Sequence, residues 1–430
     1  MKKRDFLKKS AIIASSVTFL PSSVWALTKN THLRTAHIGV GGMGNADLKS
    51  ISTHELVRVT ALCDVDAKNL AAAKKKHPGA KTYTDYRKLF DEMGSEIDAV
   101  IVSTPDHTHA PASIRAMELG KPVYCQKPLT HHVSEARAMR KLAADNKLVT
   151  QMGIQIHSWN QYRGTVKLIQ SGLIGKVKTV RAWSNKNWGY NGPAPQGSDP
   201  IPKHLDWNLW LGTSPERPYK DKIYHPGNWR KLLDYGCGTL GDMGVHIFDT
   251  PYTALALDVP KTIKTECRQP NGFGHPENNV VTYKFPGTEY TTKRLKWVWY
   301  DGPGAPDTHK DLRMPNGDKL PGQGAMFIGE KGRLLLPHID YPKLIVNGQY
   351  EEIDFPELEK HNHYHQFVDA CLGKDECSAP FSYAARLSEA ILLGVVANRF
   401  PNKTLHWKNE TSQFKQAEAN LLLSSKYRSF

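Results

Sequence analysis

Cysteine is sparse in this 430-residue chain and carries no pattern: Cys63, Cys125, Cys237, Cys267, Cys371 and Cys377 form neither a C-x-x-C pair nor a zinc spacing. A disulfide-scaffolded fold and a structural zinc site are thereby excluded. Cys63 and Cys125 fall at the ends of predicted buried strands and read as small hydrophobes; an exported chain has the means to pair some of the others. No apolar run reaches the length of a bilayer span. Acids are also short, 42 Asp and Glu against 57 Lys and Arg, for a net charge of +15. Past the first residues, however, no Lys/Arg block or nucleic-acid motif concentrates that excess, so a generally basic surface is expected and no nucleic-acid partner. The 40% hydrophobic content is that of a soluble globular protein, and the length is enough for two domains with full cores.

Residues 1–26 are set aside before any fold reasoning. Lys2, Lys3, Arg4, Lys8 and Lys9 form a basic region, Ala11 to Leu20 is a short apolar stretch, and Val24-Trp25-Ala26 ends in the small residue a signal peptidase prefers. This reads as an export signal, and Lys3-Arg4-Asp5-Phe6-Leu7-Lys8 resembles the twin-arginine type with Lys in place of the first Arg. That departure leaves the ordinary secretory route open. Either route makes the expected location periplasmic.

Thr35 to Asp64 is the most informative stretch. The apolar run Ala36 to Val40 strikes glycines spaced G-x-G-x-x-G at Gly39, Gly41 and Gly44, with Gly42 and Met43 in the same turn. A helical segment follows, then a second apolar run, Val57 to Cys63, and Asp64 twenty residues beyond the last glycine. A dinucleotide needs this order of parts. Gly39 permits the tight turn, Gly41 lets backbone N–H groups approach a pyrophosphate, Gly44 lets helix and strand pack closely, and the phosphates sit over the helix N-terminus. Asp64 accepts from the adenosine ribose and repels a 2′-phosphate, so NAD is expected in preference to NADP.

Strand and helix keep alternating beyond Asp64, as a doubly wound sheet requires. Asp66 to Lys76 and Tyr86 to Met93 are predicted helices. Ile97 to Ser103 is a buried parallel strand ending in Ser103-Thr104-Pro105-Asp106-His107-Thr108-His109, which places backbone and polar groups at the carboxyl edge of the sheet, where ligands bind. Ala110 to Leu119 is the next helix. The strand Pro122 to Cys125 then runs into Gln126-Lys127-Pro128, so that Lys127 points into the crevice. Ser134 caps a helix to Lys147, and a last strand closes the nucleotide domain near residue 155.

The glycine turn, Asp64, Thr104-Pro105 with His107 and His109, Lys127-Pro128, and a later Asp-x-x-x-His at Asp242 and His246 together resemble the Gfo/Idh/MocA oxidoreductase family. Where that family usually has Glu before Lys-Pro, this chain has Gln126, which removes a carboxylate beside the lysine. The resemblance implies an α/β fold: an N-terminal Rossmann domain over residues 35–155 and a C-terminal α+β domain over 156–430 with an open, mostly antiparallel sheet. It also implies that Gly39, Gly41, Gly42, Met43, Gly44, Asp64, Thr104, Pro105, His107, His109 and Lys127 bind the cofactor.

In the second domain, Trp183, Trp188, Tyr190, Trp207 and Trp210 stand among Pro, Gly and Asn and suit either a sugar ring or a core beneath a long loop. A helix beginning near Thr239 puts Asp242 and His246 on one face. Alcohol oxidation needs a base for the hydroxyl proton, and a histidine suits it. His246 is therefore assigned as acid/base, Asp242 as its partner or a substrate ligand, and Lys127 as the group that positions the reacting hydroxyl. Asp301 to Gly324 is expected to be a long loop over the site. His361, His363 and His365 begin a helix over 362–372, without a further ligand to suggest a metal.

The function expected is an NAD-dependent oxidoreductase acting on a secondary hydroxyl of a sugar, glycoside or polyol, with cofactor retained through export. A redox-neutral glycosidase or lyase working through a transient keto-sugar is the alternative. A non-catalytic sugar- or NAD-binding protein is a second one, against which Lys127, Asp242 and His246 argue. A homo-oligomer remains open.

Overall fold

The computed structural model describes residues 32–430; the export signal read in residues 1–26 lies outside them. The first unit runs β1 (Leu33–Ile38), α1 (Met43–Ile51), β2 (Val57–Cys63), α2 (Ala67–Lys76), β3 (Lys81–Tyr83), α3 (Tyr86–Met93), β4 (Ala99–Val102), α4 (Asp106–Glu118), β5 (Val123–Gln126), α5 (Val133–Asp145) and β6 (Thr150–Gly153). Its strands lie in the order β3-β2-β1-β4-β5-β6, all parallel. The order reverses between β1 and β4, and the crevice that this leaves at their carboxyl ends is where such sheets take ligands.

Two local readings need correction. Helix α4 starts at Asp106, not Ala110, because Pro105 supplies an extended N-cap (φ −59°, ψ 155°) and Asp106 suits the first turn. His107 and His109 therefore sit on helix α4, not on a strand-end loop. Helix α5 is capped at His132, not Ser134, because the Glu135 carboxylate accepts from the backbone N–H of His132 at 2.8 Å and of His131 at 3.1 Å.

The second unit contains α6 (Asn160–Gln170), β7 (Val177–Ser184), α7 (Trp207–Leu211), a π-helical turn at Leu240–Gly244 leading into α8 (Val245–Ala254), and strands β8 (Thr262–Glu266), β9 (Val280–Pro286), β10 (Thr291–Asp301), β11 (Gln323–Ile328), β12 (Arg333–Pro337), β13 (Lys343–Val346) and β14 (Gln349–Glu351). After these come α9 (His363–Cys371), α10 (Phe381–Ala397), β15 (Thr404–Lys408), β16 (Gln413–Phe414) and α11 (Ala417–Asn420). The strands form one ten-stranded sheet, antiparallel except for the parallel β7–β10 pair.

One apolar core runs through both units, from Ala36 and Val100 of the parallel sheet to Val180, Trp297 and Ile391. Helix α10 binds them together: the Ser388 hydroxyl accepts from the backbone N–H of Leu129, and Phe381 N–H donates to Thr150 Oγ1. The loop between β10 and β11 does not cover the cleft. Its apolar Leu312, Met314 and Leu320 pack with Trp183, Tyr300 and Met326 on the far face of the large sheet, an apolar surface that would otherwise be wet.

The tryptophan-rich stretch is largely core. Trp207 and Trp210 are stacked at 4.7 Å and buried with Tyr219, Tyr224, Trp229 and Tyr235. All six cysteines are unpaired, and Cys63, Cys125, Cys237 and Cys371 are buried. No helix among the described residues is long and apolar enough to cross a membrane.

Candidate active site

A cleft of about 640 Å³ opens at the β1/β4 switch point and extends to the π-helical turn. Gly39, Gly41, Gly42, Met43, Asp64, Thr104, Pro105, His109, Lys127, Asp242 and His246 all line it; Gly44 and His107 do not. Gly39 has φ +81°, and a Cβ there would meet Ser103 O at 2.7 Å, so the chain turns against the end of β4. A Cβ on Gly44 would meet Gly39 O at 2.0 Å: this residue shapes the turn from behind. Gly42, with φ +51°, has nothing within 4 Å of the Cβ position, so its backbone borders open space at the start of α1. An unobstructed turn at a helix N-terminus is a cradle for a pyrophosphate.

Asp64 is fixed for a ribose. The backbone N–H of Val40 donates to its Oδ2 at 2.9 Å and that of Asp66 to its Oδ1 at 2.8 Å. Burial raises its pKa from the ordinary 3.8, against those two hydrogen bonds.

The opposite end carries a cluster of ionisable groups. Asp242 gathers three donors: Lys127 Nζ at 2.8 Å and Arg230 Nε at 3.2 Å on Oδ1, and Trp188 Nε1 at 2.7 Å on Oδ2. Burial would raise its pKa, but Lys127 and Arg230 outweigh that and hold it well below the usual carboxylate range. The Lys127 ammonium also donates to the Asp242 carbonyl at 3.0 Å. His246 faces this cluster with Nδ1 buried and without a hydrogen-bond partner among the described residues. Burial first, then the charge of Lys127, pushes its pKa well below 6.5 and keeps the imidazole neutral.

The helix that presents Asp242 and His246 starts near Thr239 as predicted but turns π-helical over Leu240–Gly244, so their common position is not the simple i, i+4 face predicted. Gly241 makes this possible, since a Cβ there would meet Cys237 Cβ at 2.1 Å. Turns of this kind concentrate at functional sites.

His107 and His109 both bind backbone, and of the two only His109 also lines the cleft. His107 Nε2 reaches Trp210 O at 3.0 Å, while His109 reaches Pro128 O and Thr104 O, both at 2.8 Å. They tie α4 to the Lys127 loop and to the second unit. His361 is exposed, His363 is buried against Met152 O and Ser158, and His365 meets Thr53.

Arg230 and His338 carried no sequence signal. Arg230 joins Trp188, one of the aromatic residues read from the sequence as suiting a sugar ring, on Asp242, and His338 lies 5.8 Å from His246, ring to ring. Asp106 is fully buried on the cleft wall with its pKa raised to about 7 by burial, in spite of Arg230 and Lys127. The Gln126 side chain itself meets a carboxylate from α1. Gln126 Nε2 donates to Asp47 at 2.9 and 3.1 Å, and burial raises the Asp47 pKa to about 6.

A glycine cradle, a buried ribose acceptor and a Lys-Asp-His cluster in one cleft define the class of NAD-binding oxidoreductases. Residues 33–154 match the oxidoreductase-family NAD-binding Rossmann fold of the Gfo/Idh/MocA model, and residues 160–289 match its C-terminal alpha/beta domain. The chain belongs to the Gfo/Idh/MocA oxidoreductase family.

Among its relatives, inositol 2-dehydrogenase of Rhodococcus erythropolis is 34% identical over 36% of this chain and 44% of its own length. A glycosyl hydrolase family 109 protein of Stenotrophomonas maltophilia is 35% identical over 29% of each. The matches thus span less than half of these relatives. The fold matches aldose-aldose oxidoreductase from Caulobacter crescentus, solved with glycerol (TM-score 0.59, 16% identity, 87% of this chain and 99% of that one). It also matches the WlbA dehydrogenase from Bordetella pertussis, solved with NADH and UDP-GlcNAcA (TM-score 0.62, 13% identity, 88% and 99%). NAD is the cofactor of this fold, and the open glycine turn and bonded Asp64 fit it.

Proposed function

We propose that this protein oxidises a secondary hydroxyl of a sugar, glycoside or polyol, using NAD in preference to NADP. The observation that carries the reading is the His246 imidazole, its Nδ1 buried without a hydrogen-bond partner among the described residues, beside the Lys127–Asp242 pair in the same cleft as the glycine turn. Bound NAD accepts a hydride at its nicotinamide ring. Lys127, fixed by two oxygens of Asp242, keeps a third N–H for the substrate hydroxyl and stabilises its developing negative charge. His246 takes the hydroxyl proton, which a neutral imidazole can do and an imidazolium cannot. Asp242 holds Lys127 in place and favours the protonated state of His246 once it has formed. Asp64 disfavours a 2′-phosphate by charge.

Two relatives frame the substrate: one is named for an inositol, the other for glycoside hydrolysis. The second name favours a redox-neutral variant in which the transient ketone acidifies a neighbouring C–H, the glycosidic bond breaks by elimination with loss of the alcohol, water adds to the resulting enone, and the hydride would return to the ketone. We include export in the proposal, on the basic and apolar pattern of residues 1–26. A cofactor carried out in the folded protein would then have to be regenerated in place.

His246→Ala is expected to lower turnover on a responsive sugar or inositol by about 100-fold or more, with NAD affinity nearly unchanged. Unchanged turnover would remove His246 from the chemistry. Nucleotide released on denaturing the purified protein, at near one per chain, supports a retained cofactor. Accumulation of reduced nicotinamide during turnover separates net oxidation from redox-neutral cleavage.

A further inference from the structure

The stretch after β16 returns to the first unit and reaches the cleft. Backbone N–H of Ser134 donates to Leu423 O at 3.0 Å, and Tyr427 Oη donates to Glu135 Oε1 at 2.6 Å. Arg428 then uses its whole guanidinium on the α7 segment: Nε to Ser214 O at 3.1 Å, Nη1 to Asn208 Oδ1 at 2.7 Å, and Nη2 to Asn208 O and Gly212 O at 3.0 Å each. Its own N–H donates to Thr213 O at 2.9 Å. Carbonyls at the end of a short helix have few partners of their own, and a planar guanidinium satisfies several at once.

Two residues further on, the Phe430 ring lines the cleft. The Arg87 guanidinium stacks 4.1 Å from the ring centroid, and Arg87 also donates to the Phe430 carbonyl. Arg87 is itself locked to Asp85 through Nε and Nη2. This end of the cleft is the adenosine end. Backbone N–H of Asp64 donates to Tyr83 O at 3.1 Å, which joins the ribose acceptor to the loop of Thr84, Asp85 and Tyr86. Across the mouth, the Cβ position of Gly212 lies 3.7 Å from Thr108 Oγ1 and 4.0 Å from the Phe430 ring. Phe430 thus spans the gap between the starts of α3 and α4.

We propose that Phe430, held by Arg428 and Arg87, is an adenine-contacting residue that closes the adenosine end of the cleft and slows loss of NAD. It rests on NAD occupying the cleft as described above. An aromatic ring offers a face or edge to a purine, and a ring already held by two guanidinium contacts loses little freedom on binding. Most affinity differences of this kind lie in the dissociation rate rather than the association rate.

The test compares Phe430→Ala, Phe430→Trp and Arg428→Ala with the parent protein, using NAD, ADP and nicotinamide mononucleotide as probes in titration calorimetry, with NAD release followed by tryptophan fluorescence. Phe430→Ala is expected to weaken NAD and ADP alike by about tenfold or more, and to speed NAD release in proportion. Phe430→Trp should restore most of this, Arg428→Ala should follow Phe430→Ala, and nicotinamide mononucleotide should bind all variants equally. ADP affinity within twofold of the parent in Phe430→Ala overturns the proposal. So does an Arg428→Ala protein that is less heat-stable but binds ADP unchanged. A parent protein that binds neither NAD nor ADP would overturn the cofactor assignment itself, a result distinct from failure of the strap alone.

Discussion

Asp242→Asn removes one charge at nearly constant shape, and its cost follows from the three donors that converge there. The carboxylate serves Lys127 and Arg230 on one oxygen and Trp188 on the other. An amide has only one oxygen. Turned toward the cations, it presents NH2 to the indole N–H; turned toward the indole, it presents NH2 to two cations. In the better orientation a half-buried donor is orphaned, at about 1–3 kcal/mol, and two ion-paired bonds become bonds from a cation to a neutral amide oxygen. The Lys127 and Arg230 side chains keep 14% and 28% exposure, so water recovers part of the loss. A net destabilisation of about 3 kcal/mol is expected, at the low end of the range for a broken buried pair. The pH dependence is a sharper check. The folded pKa of Asp242 is depressed, so its contribution is present above the unfolded value of 3.8 and is lost as pH falls through the lower folded value. Urea denaturation should therefore show a constant gap between parent and variant from pH 8 to pH 5, closing below about pH 4. A gap under about 1 kcal/mol at pH 7, or one that widens on acidification, would refute the assignment of Asp242 as the anion of this cluster.

Gly44→Ala is expected to cost about 2–3 kcal/mol in urea and to abolish tight NAD binding, because its Cβ would meet Gly39 O at 2.0 Å. Gly94→Ala, whose Cβ would meet only Leu119 at 3.8 Å, should change neither measurement. Acidification from pH 7 to 5 should destabilise the whole protein through its buried histidines. Burial lowers His107, His275 and His363 from 6.5 to about 4, so the stability that they contribute is present above pH 6.5 and lost as pH falls toward 4. Each is worth about 2 kcal/mol at pH 5, offset in part by Asp106, which is relieved of its charge as pH falls below its raised pKa of about 7. Greater stability at pH 5 than at pH 7 in chemical denaturation would contradict this.

The glycine turn, Asp64, Lys127 and the strand-helix alternation were legible because each rests on local chemistry. A tight turn needs Gly39, a parallel strand buried on both faces needs an unbroken apolar run, and neither depends on what lies across the cleft. The start of α4 was misplaced by four residues, because propensity favoured the alanine-rich part whereas Pro105 and Asp106 set the cap. The π-helical turn was illegible, since it depends on Gly241 passing Cys237, a packing contact with no periodic signature.

By itself the sequence determined a Rossmann unit, its cofactor chemistry and the residue types of the reactive cluster, since these are properties of short segments. Tertiary structure alone decided which charges meet. Arg230 reaches Asp242 from a short helical turn, Asp47 meets the Gln126 amide from α1, and Phe430 stands beside Arg87. Such pairings depend on how the two sheets share one core, and sequence separation carries no record of that.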